Sequence, residues 1–167
     1  MQFLTPLLDW LEKSPLAVFI NQYKPAFTTI EIVHVVAVAL VIGSIAIVDL
    51  RLIGLASTKR PFRELARAAL PWTWAAFVVA AVSGALLFIS QATEYAGKTV
   101  FQIKLFILLL AGINMLVFEL ITARRAQEWE MKAVPPPAAR FAGAISLACW
   151  VLIILSGRWT GFAMLPE

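Results

Sequence analysis

Four polar side chains and one thiol stand out as candidates for chemistry in this sequence: Glu31, His34, Asp49, Lys104 and Cys149. His34 is the only histidine and Cys149 the only cysteine. A lone cysteine excludes an intrachain disulfide and any CxxC redox or metal motif, and a lone histidine excludes HExxH and tri-histidine zinc sites. What remains open to His34 is a single ligand bond. A neutral imidazole inside a membrane helix bundle is a natural axial ligand for haem iron, so the metal reading of His34 is haem iron. The competing reading is a histidine that hydrogen-bonds to a neighbouring helix. Lys104 can contact an acidic group, or snorkel its stem toward the interface. Cys149 reads as a small buried hydrophobe, and Asn114 as an interhelical hydrogen-bonding residue.

These residues lie in segments that can only be membrane spans. From Ile32 to Val48 no residue is charged, and the stretch from Phe27 to Leu55 is long enough for a hydrocarbon core of roughly 30 Å. At about 100° per residue, Glu31 and Asp49 share an azimuth and His34 stands about 60° away. A carboxylate facing lipid costs roughly 2.5 to 3.5 kcal/mol, so this side is expected to face other helices or a water-filled cavity.

The chain has 167 residues, 61% of them hydrophobic and 14% charged, which is too apolar for a soluble domain and too short for more than one membrane bundle. The expected fold class is all-α, a polytopic membrane four-helix bundle forming a single domain over residues 1–167. Spans are expected at about 27–55, 70–91, 100–121 and 138–157, with short connections and an up-down-up-down order. The first 26 residues read as an interfacial amphipathic collar. Thr5-Pro6 and Ser14-Pro15 are helix starts, and Leu4, Leu7, Leu8 and Leu11 follow one helix face. The formal charge of +4 is a topology signal and gives no reason to expect nucleic acid as a partner. Arg51, Lys59, Arg60, Arg63 and Arg67 follow span one, and Arg124, Arg125, Lys132 and Arg140 follow span three. These loops belong in the cytoplasm and both termini face outward. Pro61 and the triple proline at 135–137 stop helices. Ala76, Ala80 and Gly84 place small residues four apart on span two, where a neighbour can approach closely.

Residues on different helices cooperate only at matched depth. Counted from the outer ends of their spans, Glu31 and Lys104 lie level at about 6 Å, which predicts a mutually dependent pair, and His34, Gly84 and Cys149 lie near 10 Å. Gly84 opposite His34 would leave room for a macrocycle. The candidate cofactor-binding residues are therefore His34, Lys104, Glu31 and Gly84. Met115 lies some 12 Å deeper than His34, too far to share a metal with it.

The acidic residue before IVHVV, the glycine later in that span, DLRL at its exit, FQIKL opening span three and INMLVFE within it resemble a group of small bacterial membrane families. The pattern resembles HemJ-type protoporphyrinogen oxidase and CopD-like membrane domains, and more closely an uncharacterised family of about this length. The resemblance implies haem b at the positions of His34 and Lys104. Relatives often carry a second histidine late in span three, where this chain has Asn114 and Glu119, so bis-histidine ligation within one subunit is excluded. The expectation is a bacterial inner-membrane protein, in contact with the lipid bilayer and open to homo-oligomer formation, that binds haem b on His34 for electron transfer or tetrapyrrole oxidation. Two other classes stay open. One is a small ion or proton transporter using Glu31, Asp49 and Glu119; the other is a non-catalytic assembly subunit.

Overall fold

The computed structural model describes residues 5–132 and 134–162. Among them every regular element is helical. Two short helices, α1 (Thr5–Glu12) and α2 (Pro15–Gln22), precede α3 (Lys24–Ile53) and α4 (Phe62–Ser90). A short α5 (Ala92–Gly97) leads into α6 (Thr99–Val117). The backbone then passes through a π-helical turn (Phe118–Thr122) and a 3₁₀ segment (Ala123–Glu128) before α7 (Pro137–Phe162). Four helices are long and apolar enough to cross a membrane, as the composition demands.

The helix boundaries follow local chemistry. Ser14 caps α2, its hydroxyl accepting from the Ala17 amide at 3.3 Å, with Pro15 in the first turn. Leu4 lies outside the described residues. Gly54 ends α3 in the left-handed region at φ 88°, where its amide reaches the Leu50 and Arg51 carbonyls. The second span begins eight residues earlier than expected. Arg63, Glu64, Leu65, Ala66 and Arg67 favour helix, so the basic segment read as loop is the first two turns of α4, and Pro71 lies on its exposed side. Pro61 precedes α4 instead of stopping α3, and Pro137 opens α7.

The lateral order of the spans differs from their order in the chain. Helix α3 packs along both α4 and α7, and α6 packs on α7, giving the order α4, α3, α7, α6. Helices α4 and α6 are consecutive spans, yet their backbones stay further apart and they meet through ring pairs near their ends, Phe88 with Phe101 and Phe62 with Phe118. Small residues account for the intimate pairs. Ala76 and Ala80 are buried against α3, and a Cβ on Gly143 of α7 would stand 2.8 Å from the Leu52 Cβ and 2.9 Å from the Asp49 carbonyl oxygen. Helix α6 has no such residue in close contact and buries no side chain fully.

The two ends of the helix assembly, named inner and outer after the orientation expected from the basic loops, are tied differently. At the inner end Val48, Leu52, Phe62, Ala66, Ala126, Trp129 and Ala139 form the core, with Phe62 edge-on to Phe118 and tilted against Trp129. Arg51, read from sequence as a loop charge, is 0% exposed. Its guanidinium donates to the Arg60, Glu130 and Lys132 carbonyls at 2.9–3.1 Å and so staples both inner loops to α3. At the outer end the Glu12 carboxylate accepts from the Thr93 amide at 2.7 Å, and Asn21 donates to the Ser90 carbonyl at 2.8 Å, docking the collar on α5 and α4.

Candidate functional site

His34 lies half-buried on the α4-facing side of α3. Its Nδ1 is 2.9 Å from the Ala80 carbonyl oxygen and 3.1 Å from Ser83 Oγ. A carbonyl oxygen can only accept, so Nδ1 carries the proton and donates. The Ser83 hydroxyl hydrogen points to the Val79 carbonyl at 2.6 Å, leaving its oxygen as a second acceptor. In the neutral imidazole the lone pair therefore resides on Nε2. No hydrogen bond to Nε2 occurs among the described residues.

Gly84 is where depth counting placed it, directly against His34. A Cβ there would lie 2.9 Å from the imidazole Cε1 and 3.3 Å from Nδ1. The space freed by the glycine is thus taken by the histidine ring, not left for a macrocycle. Sequence reasoning identified the facing pair and misassigned what fills the gap.

Lys104 extends from α6 toward α7, and a Cβ on Gly157 would meet its Nζ at 3.6 Å. The ammonium acts electrostatically on His34. It has no hydrogen bond and no ion pair among the described residues. The expected pair with Glu31 does not form. Glu31 is exposed at the outer rim, because α3 and α6 do not pack along each other and equal depth does not bring their side chains together. Its charge acts instead on Tyr95 of α5, a residue the sequence did not single out. Burial pushes the Tyr95 phenol above its ordinary range, with Glu31 and Glu94 adding to the shift. The only signal in the sequence was its place in the short turn between spans two and three.

Above this level an aromatic group bridges α4 and α6. Phe88 stacks on Phe101 with ring centroids 5.5 Å apart, and Tyr95 tilts against Phe101 at 5.4 Å. Among the described residues no three His, Cys, Asp or Glu side chains form a metal-binding group, so any metal at His34 would come within a cofactor. Cys149 is buried with a free thiol, and Met115 is 46% exposed on α6. Asn114 donates to the Ala142 carbonyl at 3.0 Å, joining α6 to α7. Asp49 is 2% exposed beside Ser146 of α7, and its Oδ2 has no hydrogen-bond partner among the described residues.

Residues 7–163 match the family of unknown function DUF6644. The chain belongs to the DUF6644 family. No curated protein and no solved structure matches it, so no named homologue stands behind the likeness to HemJ-type or CopD-like proteins. For this DUF6644 protein the site's own geometry carries the functional argument.

Proposed function

We propose that this protein is a bacterial inner-membrane protein, with both termini outward, whose outer half binds a b-type haem through His34 Nε2. The observation that supports this is the donation of Nδ1–H to the Ala80 carbonyl, which fixes the tautomer and leaves the remaining lone pair on Nε2. Histidines that ligate metals are held in this way by a backbone carbonyl or carboxylate on the other ring nitrogen. Lys104 fits the same ligand as the counter-charge for an acid group. Gly84 serves by giving the Nδ1–Cε1–Nε2 edge of the imidazole room against α4, so a macrocycle would have to find its space elsewhere around the ring. A bound haem would supply one-electron chemistry, in electron transfer or tetrapyrrole oxidation. The chain's own part is to fix the imidazole tautomer and to place one cation, Lys104, in the same half of the membrane as His34.

With one histidine in the chain, His34 would hold the iron alone, or with Lys104, a water or His34 of a second copy as a further ligand. Protein produced with ample haem supply should show a Soret band that His34→Ala abolishes and Cys149→Ser leaves unchanged. High-spin ferric spectra would indicate five-coordinate or water-bound iron, and a low-spin spectrum that depends on protein concentration would indicate the shared arrangement. Absence of the band, or its survival in His34→Ala, overturns the proposal. The transport reading has one observation in its favour, the unpartnered buried Oδ2 of Asp49. Glu31 and Glu119 are both exposed, so the three carboxylates do not share one kind of environment.

A further inference from the structure

At the inner end, the first two turns of α4 and the loop ahead of α7 border an open pocket of about 300 Å³ lined by Pro61, Arg63, Glu64, Arg67 and Glu130. Two of these residues are cations and two are carboxylates, yet none of the four side chains forms an ion pair or hydrogen bond with another described residue. The start of α4 adds two further donors. No side chain caps this 29-residue helix, and the Arg63 and Glu64 amides have no acceptor among the described residues, so the positive end of the helix is unsatisfied beside the pocket. At about 100° per residue, Arg63, Pro71, Trp74 and Val78 lie within roughly 40° of Arg67. The face that carries the arginines therefore continues into apolar side chains, of which Trp74 is 48% and Val78 57% exposed. The apolar run begins at Leu70, about 5 Å along the helix from Arg67, which puts the pocket at headgroup level when α4 spans a bilayer.

We propose that this pocket binds a phospholipid whose headgroup joins a phosphodiester to a primary ammonium, with the phosphate held by Arg63, Arg67 and the first amides of α4, the ammonium by Glu64 and Glu130, and the acyl chains along Trp74 and Val78. The site lies at the opposite end of the spans from His34 and goes beyond the haem reading. Charges of both signs that share one pocket without pairing fit a ligand that brings both signs in turn. The phosphodiester is a monoanion rich in acceptors, suited to guanidinium forks and free amides. The ammonium has three N–H donors to share between two carboxylates. A choline headgroup has no N–H to donate, and a glycerol headgroup has no cation for the carboxylates. Soluble phosphate would meet Glu64 and Glu130 with like charge and would leave the apolar face below the arginines uncovered.

The test is native mass spectrometry of the full-length protein with phosphatidylethanolamine, phosphatidylcholine and phosphatidylglycerol of identical acyl chains at equal mole fraction. Phosphatidylethanolamine should be retained about fivefold more than either of the others, the scale of one well-placed interfacial ion pair. The double variant Arg63→Gln with Arg67→Gln should lower retention of all three lipids. Glu64→Gln with Glu130→Gln keeps the Glu130 backbone carbonyl that Arg51 and Phe62 use, so it should fold and should lose only the preference for phosphatidylethanolamine. Equal retention of the three lipids would mean a solvated charged face, and phosphatidylglycerol retained as well as phosphatidylethanolamine would mean a basic patch alone; either result overturns the proposal, as does retention unchanged by loss of both arginines. The measurement involves neither iron nor His34, so this proposal and the haem proposal fail separately.

Discussion

Two glycines that each lie beneath a polar side chain define the site, and they do so with different tolerances. The position a Cβ would take on Gly84 is 2.9 Å from the His34 ring, closer than carbon atoms approach in packed proteins, while on Gly157 it would be 3.6 Å from Lys104 Nζ, an ordinary contact. Gly84→Ala should therefore displace the imidazole from the Ala80 carbonyl and destabilise the protein by about 1–3 kcal/mol, whereas Gly157→Ala should be near neutral. Thermal unfolding in detergent separates the two. At the rim, Glu31 acts on Tyr95 and not on Lys104, and this has its own titration signature. In a Tyr23→Phe background, tyrosinate absorbance should rise above the ordinary range near 10, and Glu31→Gln should bring the transition down. Because the folded pKa is raised, Tyr95 contributes stability that is complete below the unfolded pKa and is lost as pH climbs toward the folded one. An unchanged transition in Glu31→Gln would return Glu31 to the neighbourhood of Lys104.

Helix pairing decides which of these residues meet, and the sequence was informative about it only where small residues mark an interface. Ala76, Ala80 and Gly84 predicted a close neighbour for α4, and α3 occupies that face. Depth counting placed Gly84 against His34 but paired Glu31 with Lys104, because depth carries no information on which helices adjoin. That α3 and α6 are separated by α7 depends on Gly143. With 2.8 Å to a side-chain carbon and 2.9 Å to a backbone oxygen, no neighbour can give way to a methyl group there. Gly143→Ala should cost about 1–3 kcal/mol, and Gly43→Ala, with nothing within 4 Å, should stabilise α3 slightly through helix propensity. A loss of thermal stability confined to the Gly143 variant checks the pairing. The early start of α4 and the π-helical turn after α6 were illegible for a different reason. Interface segments mix charge with good helix formers, so hydropathy marks where the membrane begins and says little about where the helix does.

On the scale of the whole molecule, the inner end holds the hydrophobic core, and it rests on a residue that sequence counting treated as an ordinary topology charge. Arg51 ends α3 within the fold, joining three carbonyls from both inner loops, and its Nη1 is buried with no hydrogen-bond partner among the described residues. Removing a charged donor strands those acceptors, so Arg51→Met should destabilise by about 3 kcal/mol, read as an early unfolding transition. Lysine offers one point charge where three acceptors are arrayed around a planar fork, so Arg51→Lys should recover only part of the loss. This staple also bears on orientation. Lys59, Arg60, Arg63 and Arg67 on one inner segment, and Arg124, Arg125 and Lys132 on the other, are drawn to the same end by it, whereas the outer turn at α5 holds Glu94 and Lys98 as a local ion pair at 3.8 Å. Basic residues near span ends are retained on the cytoplasmic side, so the stapled end should face the cytoplasm and the collar should face outward. A periplasm-dependent reporter fused after Glu94 should be active, and one fused after Lys132 should be silent. The reverse pattern would place His34 and Lys104 in the cytoplasmic half of the membrane, and any ligand that they take would then have to arrive from that side.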